Sequence, residues 1–376
     1  MKIALVSHAA DTHSGSRAPI ELAKRFVKLG HQVYFYAYFD LSNHKAKKEI
    51  ESQGINLILI KSPKIQIIGR FIGALKLISS LKKIKPDIIS AHTTLPFMLG
   101  SKLSGIPIFS TYHGTQQDVW FDRIFPRTPG ILDKTTNYFL NIFIKSVMWL
   151  QLILSDKIIT LSKYCSHELL SLYGKKAPFV FWGGAPPHLL NIRRKLKKSN
   201  SINLLSVSRI VPYKNFHILI NIVKDLNHQY KNLKLTIIGS HPDKKYLSYL
   251  KKIKPSNVKI IADATDSILA SHYQKADIYI TCDKFLFFGE PVLEAAEFGK
   301  PTIAFDFASA KEIVKNNHTG YVVKNEEESK KAFENLIKSP EKRATFGRNA
   351  QKFAKHFTWD RCANNYLKLF EIWQKH

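Results

Sequence analysis

The chain has 376 residues, of which 45% are hydrophobic, so it is long enough for two globular domains and too apolar for a disordered protein. Lysine and arginine number 57 against 29 acidic residues, and the net charge of +28 predicts attraction to nucleic acid, anionic lipid headgroups or phosphorylated substrates. The three cysteines lie far apart, which argues against a disulfide framework and a zinc site and is typical of a reducing compartment.

Short apolar runs alternate with longer amphipathic segments along the first half of the chain. A helix predicted at residues 18–29 ends at Gly30, and Ser162 is placed to cap a helix that ends near Gly174. This alternation is typical of βαβ units and a parallel sheet. Strands are predicted at residues 3–6, 32–36, 56–60, 88–90, 108–111 and 157–161.

A second set of alternating segments follows a stretch rich in glycine, proline and basic residues, which we assign as a linker at 185–200. The linker separates an N-terminal domain, 1–184, from a C-terminal domain, 201–359, and a last helix at about 360–376 is expected to pack back onto the first domain. Two such doubly wound domains would bind ligands in a cleft at the carboxyl ends of their strands. The second set comprises strands at 202–207, 235–239, 258–261, 278–281 and 302–305, and helices at 216–229, 246–253, 267–274 and 291–298.

Residues 138–154 are almost continuously apolar, with Lys145 as the only charge. The run is at the lower limit for a membrane span. A buried helix of the first domain, with an exposed aromatic edge, is the preferred interpretation, and a membrane span is the alternative.

Residues 64–85 alternate apolar and cationic side chains at helical spacing. Two interpretations stay open: an interfacial helix on an anionic membrane, or a helix that covers the sheet with its lysines in solvent. With the aromatic segment at 138–154, the first interpretation predicts a peripheral membrane face. The apolar side chains predicted to line one face are Ile68, Phe71, Ile72, Leu75, Ile78 and Leu81, with Arg70, Lys76, Lys82, Lys83 and Lys85 toward the rim and the C-terminal end.

The strongest motif follows the first strand of the second domain, from Ser208 to Lys214. It places two long cations, Arg209 and Lys214, five residues apart where a loop opens into a helix. Both cations can converge on one diphosphate, and the helix N-terminus adds free N–H groups and a positive dipole. Together they would offset the charge on a leaving nucleoside diphosphate. A solvated basic loop is the alternative.

A second motif runs from Phe288 into a helix. Gly289 lets backbone amides approach a phosphate or sugar closely, and Glu294, one turn into the helix, can accept two hydrogen bonds from a ribose diol. Glu290 and Glu297 are equally acidic neighbours, so the residues alone do not single out Glu294. A helix with a solvated acidic face is the alternative.

These motifs resemble the retaining GT-B glycosyltransferases of family 4, the glycosyl transferases group 1, and the resemblance extends from the first strand to residues 357–359. It implies an α/β chain of GT-B fold, with two Rossmann-like doubly wound domains facing a central cleft. In that family the Arg and Lys of a Ser/Gly-Arg-x4-Lys motif bind the donor diphosphate, and the matching residues are Arg209 and Lys214. The last Glu of a Glu-x7-Glu motif holds the ribose and matches Glu294.

The sugar end of the second motif departs from the family pattern. Phe288 and Gly289 match the Phe-Gly pair that turns its backbone toward the donor. Leu286, however, stands where the first Glu of Glu-x7-Glu, which contacts the transferred sugar, is expected. Three explanations stay open: Asp283 or Glu290 reaches the same space, donor recognition differs, or activity has been lost.

Two segments of the first domain also resemble the family. The loop that contains Gly15 and Arg17 resembles its glycine-rich acceptor loop, although a plain turn is the alternative. His113 matches the His of a Thr-x-His segment, which lies in the cleft beside the transferred sugar. Without the resemblance, His113 is one of 15 histidines and more often structural than catalytic. His8 and His92, at other predicted strand ends, are second-rank candidates.

The resemblance therefore implies a retaining hexosyltransferase that moves a sugar from a nucleotide sugar to a hydroxyl acceptor. The leaving phosphate takes the proton itself, so catalysis would depend on Arg209 and Lys214 and on the orientation of both substrates. No Asp-x-Asp metal motif is placed to serve the cleft, which predicts a metal-independent enzyme without cofactors. As co-substrate, a UDP-sugar is preferred over GDP-mannose on family base rates. The linker near residues 185–187 is a hinge candidate for domain closure.

The partners expected from the resemblance are a nucleotide sugar and a glycan or lipid-linked acceptor, for cell-surface glycan or glycolipid synthesis. The N-terminal apolar run is too short for a signal peptide, so we expect a cytoplasmic protein, peripheral on the inner face of the membrane. One alternative is a non-catalytic sugar-nucleotide-binding homologue, motivated by Leu286. The other is a basic nucleic-acid-binding protein, but the cations are spread along the chain without a recognised motif, and nucleic acid is not an expected partner.

Overall fold

The protein is described by a computed structural model that covers residues 1–10, 17–39, 41–61, 66–117, 130–192, 201–240 and 242–374. The chain divides into two compact units. The first comprises Met1–Gln117, Phe139–Trp182 and Trp359–His376, and the second comprises Asp118–Tyr138 and Gly183–Thr358. The C-terminal segment therefore groups with the first unit.

The first unit is built on a six-stranded parallel sheet with the order β3-β2-β1-β4-β5-β6. The chain leaves β1 toward one edge and returns beside it as β4, which makes this junction the switch point of a doubly wound sheet. The strands are β1 (Lys2–Ser7), β2 (Gln32–Tyr38), β3 (Asn56–Ile60), β4 (Ile88–His92), β5 (Ile108–Tyr112) and β6 (Lys157–Thr160). The helices are α1 (Arg17–Lys28), α2 (Leu41–Glu51), α3 (Gln66–Ile84), α4 (Leu95–Leu103), α6 (Lys163–Tyr173) and the C-terminal α15 (Trp359–Gln374).

Local sequence signals account for these elements. The central strand β1 is buried along Ile3, Leu5 and their neighbours, as both faces of a parallel sheet require. The predicted cap of α6 is confirmed, because the Ser162 hydroxyl accepts a hydrogen bond from the Cys165 N–H at 3.2 Å. The same helix ends at Gly174, whose φ of 64° lies in the left-handed region.

The second unit repeats the architecture with a parallel sheet of order β12-β11-β10-β7-β8-β9. The predicted α/β fold with two doubly wound sheets is confirmed. The strands are β7 (Ile202–Val207), β8 (Leu233–Gly239), β9 (Val258–Ala262), β10 (Ile278–Thr281), β11 (Thr302–Phe305) and β12 (Gly320–Val323). The helices are α7 (Pro187–Asn191), α8 (Phe216–Gln229), α9 (Lys244–Ile253), α10 (Asp266–Lys275), α11 (Glu290–Glu297), α12 (Ala310–Ile313), α13 (Glu326–Lys338) and α14 (Pro340–Ala354).

The apolar segment at 138–154 belongs to a longer helix, α5 (Ile131–Ile153), and the prediction that this helix is buried is wrong. Within it, Asn137 and Leu152 are the buried residues. One side, which we call the apolar face of α5, exposes large apolar side chains: Ile131, Leu132, Tyr138, Phe139, Ile142, Phe143, Trp149, Leu150 and Ile153, each between 40% and 83% exposed. Within the described ranges, no helix combines the length and apolarity that a membrane crossing requires.

The prediction of one apolar face on α3 is also wrong in part. Leu77 and Leu81 are buried in the core of the first unit, whereas Phe71 and Leu75 are 45% and 65% exposed. The apolar residues therefore lie on two sides of the helix, because their spacing does not follow a single helical stripe. The exposed cations on this helix are Arg70, Lys76, Lys82 and Lys83.

Candidate functional site

Two loops of the second unit meet at the carboxyl ends of the neighbouring strands β7 and β10. The backbone N–H of Lys284 donates to the carbonyl of Tyr213 at 3.1 Å. Asn215, held in the left-handed region with φ 57°, donates its side-chain amide to the carbonyl of Cys282 at 3.0 Å. These bonds join loop 208–215 to loop 282–289, and so bring the two sequence motifs together.

Tyr213 contacts both cations of the first loop. The guanidinium of Arg209, which is exposed, donates a hydrogen bond to the Tyr213 hydroxyl. The centre of the Tyr213 ring lies 5.8 Å from Arg209 Cζ and 5.1 Å from Lys214 Nζ, within the range of cation–π attraction. Sequence reasoning missed Tyr213, because an aromatic residue in a basic loop gives no signal of its position between two cations.

Lys214 forms a buried ion pair with Asp283. The Lys214 ammonium donates to Asp283 Oδ2, and the two side chains are 11% and 9% exposed. Burial lowers the pKa of Lys214, the charge of Asp283 opposes this shift, and the charge of Arg209 adds to it. The other oxygen, Asp283 Oδ1, accepts the backbone N–H of Phe285 at 2.9 Å. Both carboxylate oxygens are therefore engaged within these loops.

Leu286, at the position expected for a sugar-binding glutamate, is directed into the core and 4% exposed. Its carbonyl accepts the backbone N–H of Ser309 at 3.0 Å. Gly289 has φ 86°, and a Cβ atom there would lie 3.0 Å from Leu286 Cδ1 and 2.5 Å from Ile313 Cδ1. Phe288 is likewise 4% exposed, and its ring packs against that of Phe357.

The structure distinguishes three glutamates that the sequence left equivalent. Glu294 is 2% exposed, and its Oε2 accepts the Tyr273 hydroxyl at 2.7 Å. Glu290 is the first residue of α11, where the helix dipole favours a negative charge. Glu297 Oε1 accepts the backbone N–H of Ala185 at 2.9 Å, which attaches the start of the predicted linker to α11.

The environment of Glu297 predicts a pH-dependent stability. Burial raises the pKa of Glu297 to about 7, and the charge of Glu294 adds to the rise. Because the folded pKa exceeds the unfolded value of 4.5, ionised Glu297 destabilises the fold, progressively from pH 4.5 upward and fully above pH 7. Glu297→Gln keeps the acceptor without the charge. We expect this variant to raise Tm by about 2–6 °C at pH 8.5 and to leave Tm unchanged at pH 4.5. Differential scanning calorimetry at the two pH values measures both changes. An equal gain at both pH values would contradict this explanation.

His113 follows β5 in the first unit, in an aromatic environment. Its ring packs edge-on against Trp182 at 5.0 Å and lies 5.7 Å from the ring of His92. Burial lowers the pKa of His113 to about 4, and the charge of His8 adds to this effect. The imidazole is therefore neutral at neutral pH and has one donor and one acceptor nitrogen.

The backbone around His113 is held by Glu168 on α6. Glu168 Oε2 accepts the Tyr112 hydroxyl at 2.6 Å and the backbone N–H of Thr115 at 2.9 Å, so these bonds bracket His113. The Thr115 hydroxyl in turn bonds Tyr173 at 2.8 Å. Sequence reasoning missed Glu168, since a single acid on a helix is ordinarily solvated.

We expect Glu168→Ala to lower the free energy of unfolding by about 1–3 kcal/mol, because it removes the acceptor of the Thr115 backbone N–H and one of the two partners of the Tyr112 hydroxyl. Urea denaturation followed by tryptophan fluorescence measures the loss. Glu51→Ala is the control, since Glu51 forms a surface pair with Lys47 at 3.6 Å that contributes less than about 1 kcal/mol. Equal losses in the two variants would show that Glu168 does not hold this loop.

The acceptor residues predicted from the sequence are only partly described. Gly15 lies outside the described residues, and Arg17 is the first residue of α1, 8% exposed. In the parts of the chain that the structure describes, no three His, Cys, Asp or Glu side chains are grouped so that they could hold a metal ion. Metal independence stays a prediction.

Two family models match the chain. The model described as glycosyl transferases group 1 matches residues 190–353, and the model described as glycosyltransferase family 4 matches residues 16–198. An uncharacterised glycosyltransferase of Methanocaldococcus jannaschii is 26% identical over 294 residues, which cover 76% of this chain and 75% of that protein. The capsular polysaccharide biosynthesis glycosyltransferase CapM of Staphylococcus aureus is 23% identical over 348 residues, which cover 86% and 88%.

Solved structures share the fold. HepE of Anabaena, in complex with UDP and glucose, has a TM-score of 0.74 at 16% identity over 99% of both chains. Sucrose-phosphate synthase of Thermosynechococcus elongatus has a TM-score of 0.75 at 17% identity over 100% of this chain and 99% of the other. The two doubly wound sheets, the matched family models and these GT-B structures agree. The chain therefore belongs to the group 1 glycosyltransferases of GT-B fold.

Proposed function

We propose that this glycosyltransferase binds a nucleotide sugar at the joined loops of the second unit, with Arg209 and Lys214 on the diphosphate and Glu294 on the ribose. The observation that carries the proposal is the bonding of loop 208–215 to loop 282–289, which links the cation pair to the loop that opens α11. The backbone N–H groups of Gly289 and Glu290, at the start of α11, would contact the sugar or its phosphates. A UDP-sugar is preferred over a GDP-sugar, in keeping with the UDP and glucose bound by the structural relative HepE.

The transfer is proposed to retain the anomeric configuration and to need no metal. Arg209 and Lys214 would stabilise the negative charge that develops on the leaving diphosphate, whose oxygen can accept the proton of the incoming hydroxyl. His113, neutral at neutral pH, would hydrogen-bond a hydroxyl of the transferred sugar rather than act as a charged acid. Gly15 and Arg17 are proposed to contact the acceptor.

A panel of UDP- and GDP-sugars tests this function. We expect one of them to release nucleoside diphosphate slowly in water and faster with a glycan or glycolipid acceptor, with EDTA present throughout. Proton NMR of the product gives its anomeric configuration. A product of inverted configuration would refute retention, and a protein that binds no nucleotide sugar would refute the donor site.

We also propose that the protein works on the cytoplasmic face of a membrane, with a lipid-linked or polysaccharide acceptor. The apolar face of α5 supports this, because its large exposed aromatic side chains suit the interfacial region of a bilayer. The net charge of +28 and the exposed cations of α3 also favour binding to an anionic membrane. Each lysine or arginine near the surface contributes about 1 kcal/mol to the free energy of binding. The relation to CapM, a capsular polysaccharide enzyme, fits a role in cell-surface glycan synthesis.

A further inference from the structure

Lys214 is a buried lysine that is ion-paired with Asp283. Its side chain is 11% exposed, and burial disfavours the charged ammonium. Among the described residues, the groups that face the ammonium are Asp283, from the loop after β10, and Arg209 and the Tyr213 ring, from its own loop. Of these, Arg209 repels a positive charge and Asp283 is the one that carries a negative charge. The protonation of Lys214 therefore depends on Asp283.

Asp283 is itself fixed in place on two sides. Its backbone N–H donates to the Thr281 hydroxyl at 3.3 Å, and its Oδ1 accepts the Phe285 N–H at 2.9 Å. These bonds turn Oδ2 toward the Lys214 ammonium, which donates to it. Asp283 is 7% exposed, so solvent contributes little to screening this pair. Oδ2 of the carboxylate is thus directed at the Lys214 ammonium.

From this geometry we infer that Asp283 is a positioning residue, which keeps Lys214 protonated and oriented for the diphosphate of the donor. The inference rests on the proposed function of the joined loops. In this role Asp283 does not replace the sugar-binding glutamate that is expected where Leu286 stands, because its carboxylate acts on the phosphate end of the donor. If Asp283 instead competed with the diphosphate for Lys214, removal of its carboxylate would tighten nucleotide binding.

Calorimetric titration with UDP and with GDP, from pH 7 to pH 10 at constant ionic strength, tests the inference. We expect Asp283→Asn to weaken binding of the preferred nucleotide about tenfold at pH 7.5. We further expect the pH at which affinity falls to move down by about one unit in this variant, since the unpaired lysine loses its proton more easily. Lys214→Arg in the same background should remove that pH dependence, because arginine stays charged throughout.

Asp225→Asn is the matched control, as it neutralises an exposed carboxylate that pairs with Lys330 elsewhere in the second unit. We expect it to bind like the unmodified protein at every pH. If Asp283→Asn does not fold, Asp283→Ser, which leaves room for water beside the ammonium, is measured in its place. An unchanged affinity and pH profile, or tighter binding, would overturn the inference. Absence of UDP and GDP binding by the unmodified protein would instead remove the proposed function, and the inference with it.

Discussion

Replacing Arg209 by alanine is expected to lower kcat/KM for sugar transfer about 10²–10³-fold, the usual loss when one group that stabilises a developing oxyanion is removed. The guanidinium is exposed and bonds the Tyr213 hydroxyl, so its removal leaves no buried group unpaired. We therefore expect Tm to change by less than about 1 °C. Steady-state release of nucleoside diphosphate and calorimetry measure the two quantities.

Arg348→Ala is the control for the loss of an arginine. Arg348 is exposed in the same unit and donates to the Thr345 hydroxyl on its own helix, α14. The turnover of the Arg348→Ala variant is expected to equal that of the unmodified protein. Arg209→Lys should retain part of the activity, because lysine keeps the charge but lacks the planar fork that matches a phosphate. Turnover of Arg209→Ala within twofold of normal would show that the diphosphate binds elsewhere.

The triple change Phe139→Ser, Phe143→Ser and Trp149→Ser is expected to weaken binding to anionic vesicles about 100-fold or more. Each aromatic side chain transfers apolar area from water to the bilayer interface, at about 25 cal/mol per Å², and all three lie on the apolar face of α5. Co-sedimentation with vesicles of phosphatidylglycerol and phosphatidylcholine measures the loss. Sugar transfer to a water-soluble acceptor is expected to be unaffected.

Two controls separate the membrane from other occupants of this face. The double change Ile268→Ser and Ile372→Ser removes exposed apolar side chains of two other helices, α10 and α15, and should leave vesicle binding intact. Light scattering shows whether the triple variant has a lower mass than the unmodified protein. A lower mass together with unchanged vesicle binding would identify the apolar face as a contact between copies of the chain.

Raising the salt concentration should weaken only the part of vesicle binding that depends on lysine and arginine.

Local patterns predicted eleven of the twelve strands described above and missed β12 at the edge of the second sheet. Buried strands such as β1 and β10 are short apolar runs in the sequence. Gly30 and Gly174, both in the left-handed region, end the helices α1 and α6 that follow β1 and β6. The apolar run at 138–154 misled because it has apolar residues on every side. Its periodicity therefore does not tell which side of α5 packs inward, and only tertiary packing decides that.

The partners within the candidate site could not be predicted in the same way. Lys214 and Asp283 are 69 residues apart, and they meet because β7 and β10 are neighbours in the sheet. Glu168 reaches Thr115 across 53 residues, from a helix whose sequence gives no sign of a half-buried acid that binds a distant loop. Sequence patterns thus singled out the charged candidate residues. Their hydrogen-bond partners could not be predicted, because these partners are brought together by long-range contacts.

The donor site is tested most directly by a crystal structure of the protein with the nucleoside diphosphate that it binds best. We predict β-phosphate oxygens at about 3 Å from the Arg209 guanidinium and the Lys214 ammonium, and the ribose hydroxyls on Glu294. Asp283 should still contact Lys214 in that complex. A diphosphate bound away from loops 208–215 and 282–289, with Arg209 and Lys214 unchanged, would contradict the proposed site.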